Sequence, residues 1–174
     1  MKKIVSLVLV LLLVCACTGC FMANGSTTDE SVVYAPDLTF QTADGNTVKL
    51  TDYFGKPIVL NFWASWCSPC KSEMPVFQEK YEELGDRVTF LVVCVADGMT
   101  ETVESGQAYI DKMGYTFPVY FDTTNQAGSV YGVNAIPTSF FIAPDGAVLG
   151  YATGALSEEV FMEGIHRILP AETE

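Results

Sequence analysis

Cys67 and Cys70 are separated by two residues, Ser68 and Pro69, within the run Phe62-Trp63-Ala64-Ser65-Trp66-Cys67-Ser68-Pro69-Cys70. An apolar, strand-like stretch, Ile58-Val59-Leu60-Asn61-Phe62, precedes the pair, and a helical pattern follows it. That junction makes a dithiol reactive. A sulfur at a helix N-terminus meets the positive end of the helix dipole, which favours thiolate over thiol. A second sulfur one helical turn on is near enough to close a disulfide. Pro69 suits an early helix position, where its missing N–H is no loss. Other readings of the pair are weaker. Zinc needs a second pair of ligands, and downstream there are only Cys94 and the single histidine, His166, without metal-like spacing, so no metal is expected. Covalent haem attachment needs a histidine directly after the second cysteine, where this chain has Lys71. A purely structural disulfide stays open, although so short a loop gains little stability by closure.

The elements that must hold the pair are legible as patterns. Ile58 to Trp63 reads as a central strand covered on both faces, interrupted only by Asn61. After the cysteines, Cys70, Met74, Phe77, Tyr81 and Leu84 fall on one helical face. Cys70 is therefore placed on the core side and Cys67 at an exposed tip. Pro75 is expected to kink this helix, and Gly85 to end it. Leu38–Gln41 and Thr47–Leu50 flank Asp44-Gly45, a hairpin signal. Val88–Val95 reads as a second buried strand, Glu101–Met113 as a helix, Phe117–Phe121 as a strand that Pro118 helps to begin, and Asn125–Tyr131 as a short helix. Thr138–Ala143 and Ala147–Thr153 read as strands around Pro144-Asp145-Gly146. Ser157 is a suitable N-cap for a last helix ending near Leu169, with Glu158 and Glu159 in its first turn. The order is that of an α/β layered domain with a mixed sheet.

The N-terminus is a different object. Lys2 and Lys3 precede an apolar run, Ile4–Val14, too short to span a bilayer comfortably. Cys15, Cys17 and Cys20 follow. Residues 1–20 read as a secretory signal whose cysteines resemble a bacterial lipoprotein box. Cys20, preceded by small Thr18 and Gly19, is the favoured lipidation site, and Cys17 is the alternative. Plain signal cleavage and an uncleaved anchor also stay open. Residues 21–34 read as a tether, 35–170 as the domain and 171–174 as a tail. Export places the domain outside the cytoplasm, where disulfides persist. The formal charge of the 174 residues is −12, and losing Lys2 and Lys3 takes it to −14. So acidic a chain argues against nucleic acid and against electrostatic attraction to anionic lipid. A lipid anchor would hold it at the membrane without a spanning helix. No feature indicates an oligomer, and a monomer is expected.

Three segments together resemble the TlpA/ResA branch of thioredoxin-fold thiol–disulfide oxidoreductases. They are Asn61–Cys70, Glu73-Met74-Pro75, and Ala135-Ile136-Pro137-Thr138-Ser139-Phe140-Phe141-Ile142. The N-terminal hairpin and an inserted strand–helix unit, Val88–Met113, favour this branch over plain thioredoxin. The resemblance implies a thioredoxin-like mixed sheet flanked by helices. It implies that Cys67 attacks, Cys70 resolves, and Pro137 is a cis-proline beside the disulfide, with no cofactor beyond the dithiol. A cis Ile136–Pro137 bond would leave the Ile136 backbone free to pair with a substrate segment.

Glu73, three residues past Cys70, borders the apolar face. Partial burial would raise its pKa and suit it to exchanging protons with the thiols. The alternative role is a carboxylate favouring the helix start. Plain thioredoxin keeps a buried Asp where this chain has Asn61, which cannot titrate. Trp66, Ser68, Pro69, Ile136 and Pro137 are the expected substrate-contacting set. Trp63 is expected in the core, Cys94 as a buried inert strand residue, and His166 in a solvated or capping role.

Relatives implied by the resemblance take electrons from a membrane donor of the CcdA or DsbD type. They reduce apocytochrome c, other secreted disulfides, or partners such as extracellular methionine sulfoxide reductase. The leading expectation is thus an extracytoplasmic disulfide reductase. The opposite direction, a DsbA-like oxidant, depends on a thiol pKa that Ser68-Pro69 does not fix. A peroxidase of this fold expects a lone Cys after a Pro-x-x-x-Thr pattern, which is missing ahead of Cys67. A non-enzymatic alternative is a lipoprotein module for haem or apocytochrome handling with an incidental disulfide.

Overall fold

The computed structural model describes residues 32–169. The signal segment with Cys17 and Cys20, most of the 21–34 stretch and the 171–174 tail lie outside the described residues.

A seven-stranded mixed sheet forms the centre, in the order β2-β1-β5-β4-β3-β6-β7. The strands are β1 (Thr39–Gln41), β2 (Thr47–Lys49), β3 (Ile58–Trp63), β4 (Thr89–Val95), β5 (Val119–Asp122), β6 (Thr138–Ile142) and β7 (Val148–Thr153). β3, β4 and β5 run parallel, and β6, β7, β1 and β2 join as antiparallel neighbours. The helices are α1 (Ser68–Leu84), α2 (Val103–Met113), α3 (Gln126–Ser129) and α4 (Glu158–Ile168), with a 3-10 turn at Leu50–Tyr53. Pro118 stands just ahead of its strand, and α1 runs through Pro75 without a break.

Strand periodicity divides the core. Along β3, Val59 and Trp63 join the cluster under α1, α2 and α4, while Ile58, Leu60 and Phe62 join the one on the opposite face. β4 repeats the division, with Phe90, Val92 and Cys94 on the helical side and Leu91 and Val93 on the other. Every residue of β3 is buried, as a strand covered on both faces requires. Phe161 of α4 packs edge-to-face on Phe77 of α1, with ring centroids 5.1 Å apart, which fastens the two helices over the sheet.

Local chemistry sets the helix ends. The Thr102 hydroxyl accepts from the Ser105 N–H, and the Ser105 hydroxyl accepts from the Thr102 N–H, so α2 starts at Val103 rather than at Glu101. Gly114, at φ +73°, closes α2 in the left-handed conformation that glycine adopts without strain. The Ser157 hydroxyl caps α4 by accepting from the Val160 N–H.

The stretch read as a tether is held at its last residues. The Val148 N–H donates to the Val33 carbonyl, the Ala35 N–H donates to the Gly146 carbonyl, and Tyr34 bridges to Ala147. Backbone groups of the β6–β7 turn and the start of β7 account for this pairing. Among the described residues no helix is long and apolar enough to cross a membrane.

Candidate active site

β3 and β6 bring the separated motifs together. Their antiparallel register pairs Asn61 with Ser139 and Phe62 with Thr138. Pro137 therefore arrives at the end of β3 where the chain turns through Ala64–Trp66 into α1. This is the C-terminal edge of the parallel strands, the usual ligand-facing edge of an open α/β sheet.

Cys67 and Cys70 form a disulfide, with Cα atoms 5.3 Å apart. Cys67 is the N-cap of α1, and its Sγ accepts the Cys70 N–H at 3.2 Å. A thiolate at this place would keep that donor and face the positive end of a 17-residue helix. Pro69 sits in the first turn, as its missing donor permits.

The expected exposed tip at Cys67 is corrected: Cys67 is only 4% exposed, against 0% for Cys70. The segment from β6 comes down over it, and the Ile136 carbonyl oxygen lies 3.7 Å from Sγ. What projects into solvent is Trp66, 55% exposed, together with Ser68 and Pro69. The Ile136–Pro137 peptide bond is cis, with Pro137 buried and Ile136 half-buried. Trp66 and Ile136 share an open groove with Val95, Asn125, Ala127 and Val133. One wall of that groove is fixed by Asp122. Its buried carboxylate accepts the N–H groups of Thr124, Gln126 and Ala127.

Glu73 is 1% exposed. Its Oε1 accepts from Asn61 Nδ2 at 2.9 Å and its Oε2 from the Leu156 N–H at 2.8 Å. Burial pushes its carboxyl up from 4.5 to about 7, against the two donors, which favour the charged form. A carboxyl balanced there holds or releases a proton at neutral pH, three residues along the helix from Cys70.

Trp63 lies in the core at 0% exposure. Cys94 is a free, buried thiol sealed beneath Gly106, and burial pushes its pKa well above the ordinary thiol value. His166 is exposed in the last turn of α4. Among the described residues no group of three His, Cys, Asp or Glu side chains is arranged to hold a metal ion.

Two acids and a base escaped the sequence patterns. Glu101 is buried at 1% and accepts from the Ser65 N–H and from the hydroxyls of Ser65 and Ser105. It fixes the turn that carries Trp66 and Cys67. Asp97 in turn holds Glu101 by accepting the N–H groups of Met99, Thr100 and Glu101; the Thr100 hydroxyl first, and then these N–H groups, keep its own pKa below the usual carboxylate range. The only advance signal was an Asp followed by Gly, Thr and Thr residues ahead of a helix, which marks a turn but not its target. Lys80 is buried on the α1 face. Its ammonium contacts Glu79 at 2.9 Å, Glu83 at 3.1 Å and Glu158 of α4 at 2.8 Å.

The AhpC/TSA family model matches residues 33–150. The thiol-disulfide oxidoreductase ResA of Oceanobacillus iheyensis is 32% identical over 173 residues, covering 94% of this chain and 88% of the relative. A crystal structure of a putative thiol:disulfide interchange protein DsbE from Chlorobium tepidum superposes with a TM-score of 0.71 at 28% identity, covering 80% of this chain and 97% of that one. The pneumococcal exposed lipoprotein thioredoxin Etrx1 from Streptococcus pneumoniae superposes at 0.66 with 30% identity, covering 75% and 98%. With a sheet, a helix-capping dithiol and a proline segment of this arrangement, the chain belongs to the AhpC/TSA family, within its ResA-like thioredoxin-fold thiol–disulfide oxidoreductases.

Proposed function

We propose that the chain is an extracytoplasmic reductant of protein disulfides, working through Cys67 and Cys70 and held at the membrane by a lipid on Cys20 or, alternatively, Cys17. The observation that carries the catalytic part is the Cys67 sulfur capping α1. The cap stabilises a leaving or attacking thiolate at that atom and at no other described cysteine. The signal-like residues 1–20 support the location, as does similarity to a protein described as an exposed lipoprotein. The functional domain spans 35–170, after the tether and before the short tail, and works as a monomer.

In the reduced form the Cys67 thiolate attacks one sulfur of a partner disulfide. The partner's other sulfur leaves as a thiolate and takes up a proton. Cys70 then loses its proton to Glu73 and attacks the Cys67 sulfur. The partner leaves with its second sulfur reduced, and Cys67–Cys70 is oxidised; two electrons have passed to the partner. Trp66, Ser68, Pro69 and Ile136 form the contact surface around the sulfurs, beside Pro137. On this reading the carbonyl of Ile136 accepts an N–H from an extended partner segment. Partners are secreted or membrane-associated disulfides such as those of apocytochrome c or extracellular methionine sulfoxide reductase. A CcdA- or DsbD-type membrane protein restores the dithiol, because the compartment outside the cytoplasm does not supply electrons by itself.

Cys70→Ser tests the mechanism. With the resolving sulfur gone, partners should accumulate on Cys67 as mixed disulfides separable by non-reducing electrophoresis, and Cys67→Ser should trap none. Equal trapping by both variants, or by neither, would refute the assignment. Metabolic labelling with a radiolabelled fatty acid tests the anchor: label should be lost in Cys20→Ala, and its retention there with loss in Cys17→Ala would move the site.

A further inference from the structure

Asn61 is the one polar side chain of β3, and it is fully buried. Across the β3–β6 ladder its direct partner is Ser139, also buried. Both amide hydrogens are in use. Nδ2 donates to Glu73 Oε1 at 2.9 Å and to Ser139 Oγ at 2.9 Å. Oδ1, equally buried, has no hydrogen-bond partner. An orphaned buried acceptor costs free energy, and it stands on the side chain that touches the carboxyl beside the dithiol.

A half-turn about the terminal bond of an asparagine exchanges its nitrogen and oxygen. With nitrogen forward, the amide gives a hydrogen to a charged Glu73 and one to Ser139. With oxygen forward, it accepts from the hydroxyl of a neutral Glu73 and from the Ser139 hydroxyl. Either orientation leaves one amide atom unpartnered, the oxygen in one and the nitrogen in the other. The proton on Glu73 then decides which is adopted. An aspartate at this position would instead titrate together with Glu73 as a coupled pair.

We propose that Asn61, anchored by Ser139, is a positioning residue for proton transfer at the dithiol: it turns its amide nitrogen to the charged Glu73 and its amide oxygen to the neutral one. The inference rests on the reading of Glu73 as the group that exchanges protons with Cys70. Among the described residues no other charged group is hydrogen-bonded to the amide. Glu73 is met by Asn61 of β3 and by the Leu156 N–H of the loop before α4, and Asn61 in turn by Ser139 of β6, all uncharged. On α1 itself the titratable neighbours are Cys67 and Cys70, joined here as a disulfide, and Lys80, whose ammonium is engaged by Glu79, Glu83 and Glu158.

The test is the titration of the Glu73 carboxyl carbon by NMR in the oxidised protein, read beside the pH dependence of disulfide exchange. Asn61→Leu removes a charge-assisted bond to the charged form and a weaker neutral bond to the protonated form, and the difference should raise the Glu73 midpoint by about one pH unit. Ser139→Ala loosens the amide and should raise it by less. The exchange profile should move with the midpoint. Midpoints unmoved in both variants would overturn the proposal, and Ser139→Ala decides alone if Asn61→Leu does not fold. A midpoint that moves without the exchange profile would overturn it too. The underlying reading fails separately, if Glu73→Gln leaves the exchange profile of the otherwise native protein unchanged.

Discussion

Glu73 carries two opposed influences, burial that disfavours its charge and two donors that favour it, and burial prevails. Its pKa in the folded protein, about 7, lies above the ordinary 4.5 of an unfolded chain. The folded state therefore binds this proton more tightly. The stabilisation is fully present below pH 4.5 and is lost as pH rises through 7, a loss of about 3 kcal/mol. Glu73→Gln keeps the shape without the titration. Its stability relative to the native protein should rise between pH 4.5 and 7 in urea unfolding, and a pH-independent difference would contradict the burial account. Much at this scale was legible in sequence. The Cys-x-x-Cys spacing and the position of Glu73 on the helix follow from short-range geometry alone. Glu101 and Ser139 were not legible, because each meets its partner across a separation of 36 or 78 residues that no local pattern encodes. The burial of Cys67 was missed for the same reason: what covers it is Ile136, brought in by β6.

At the scale of elements, α4 packs on the dithiol helix α1 and on the sheet, and two contacts decide how closely. Gly164 of α4 lies on Phe141 of β6, where an added Cβ would come within 2.2 Å of the ring. Gly164→Ala should cost about 1–3 kcal/mol by forcing helix and strand apart, read as a lowered midpoint in chemical denaturation. An unchanged midpoint would mean that α4 shifts without cost. Lys80 ties the two helices through Glu158 while lying close to Glu79 and Glu83. Lys80→Ala leaves three carboxylates facing one another. It should lower Tm, and added salt should restore part of the loss by screening. A salt-independent Tm difference would assign the effect to lost packing of the lysine stem. Helix and strand order was readable here because the apolar periods are clean. A buried lysine was not, since its charge at an apolar-face position gives no hint of which acids will reach it. The start of α2 differs from its apolar pattern because Thr102 and Ser105 cap one another, which frees Glu101 to turn back to Ser65.

For the whole molecule, the sheet order places the parallel strands β3, β4 and β5 side by side and the chemistry at their C-terminal edge. The hairpin β1–β2 and strands β6 and β7 extend the sheet on either side. The fold thus makes one reactive corner of a single dithiol, a proline segment and a buried carboxyl. Direction of electron flow is the property of that corner on which the proposed role depends. The reduction potential of Cys67–Cys70, measured on the soluble domain by equilibration with redox buffers, tests it most directly. A reductant fed by a membrane donor predicts a value near that of thioredoxin, about −270 mV. A value near that of DsbA, about −120 mV, would contradict the account and make the protein an oxidant of its partners.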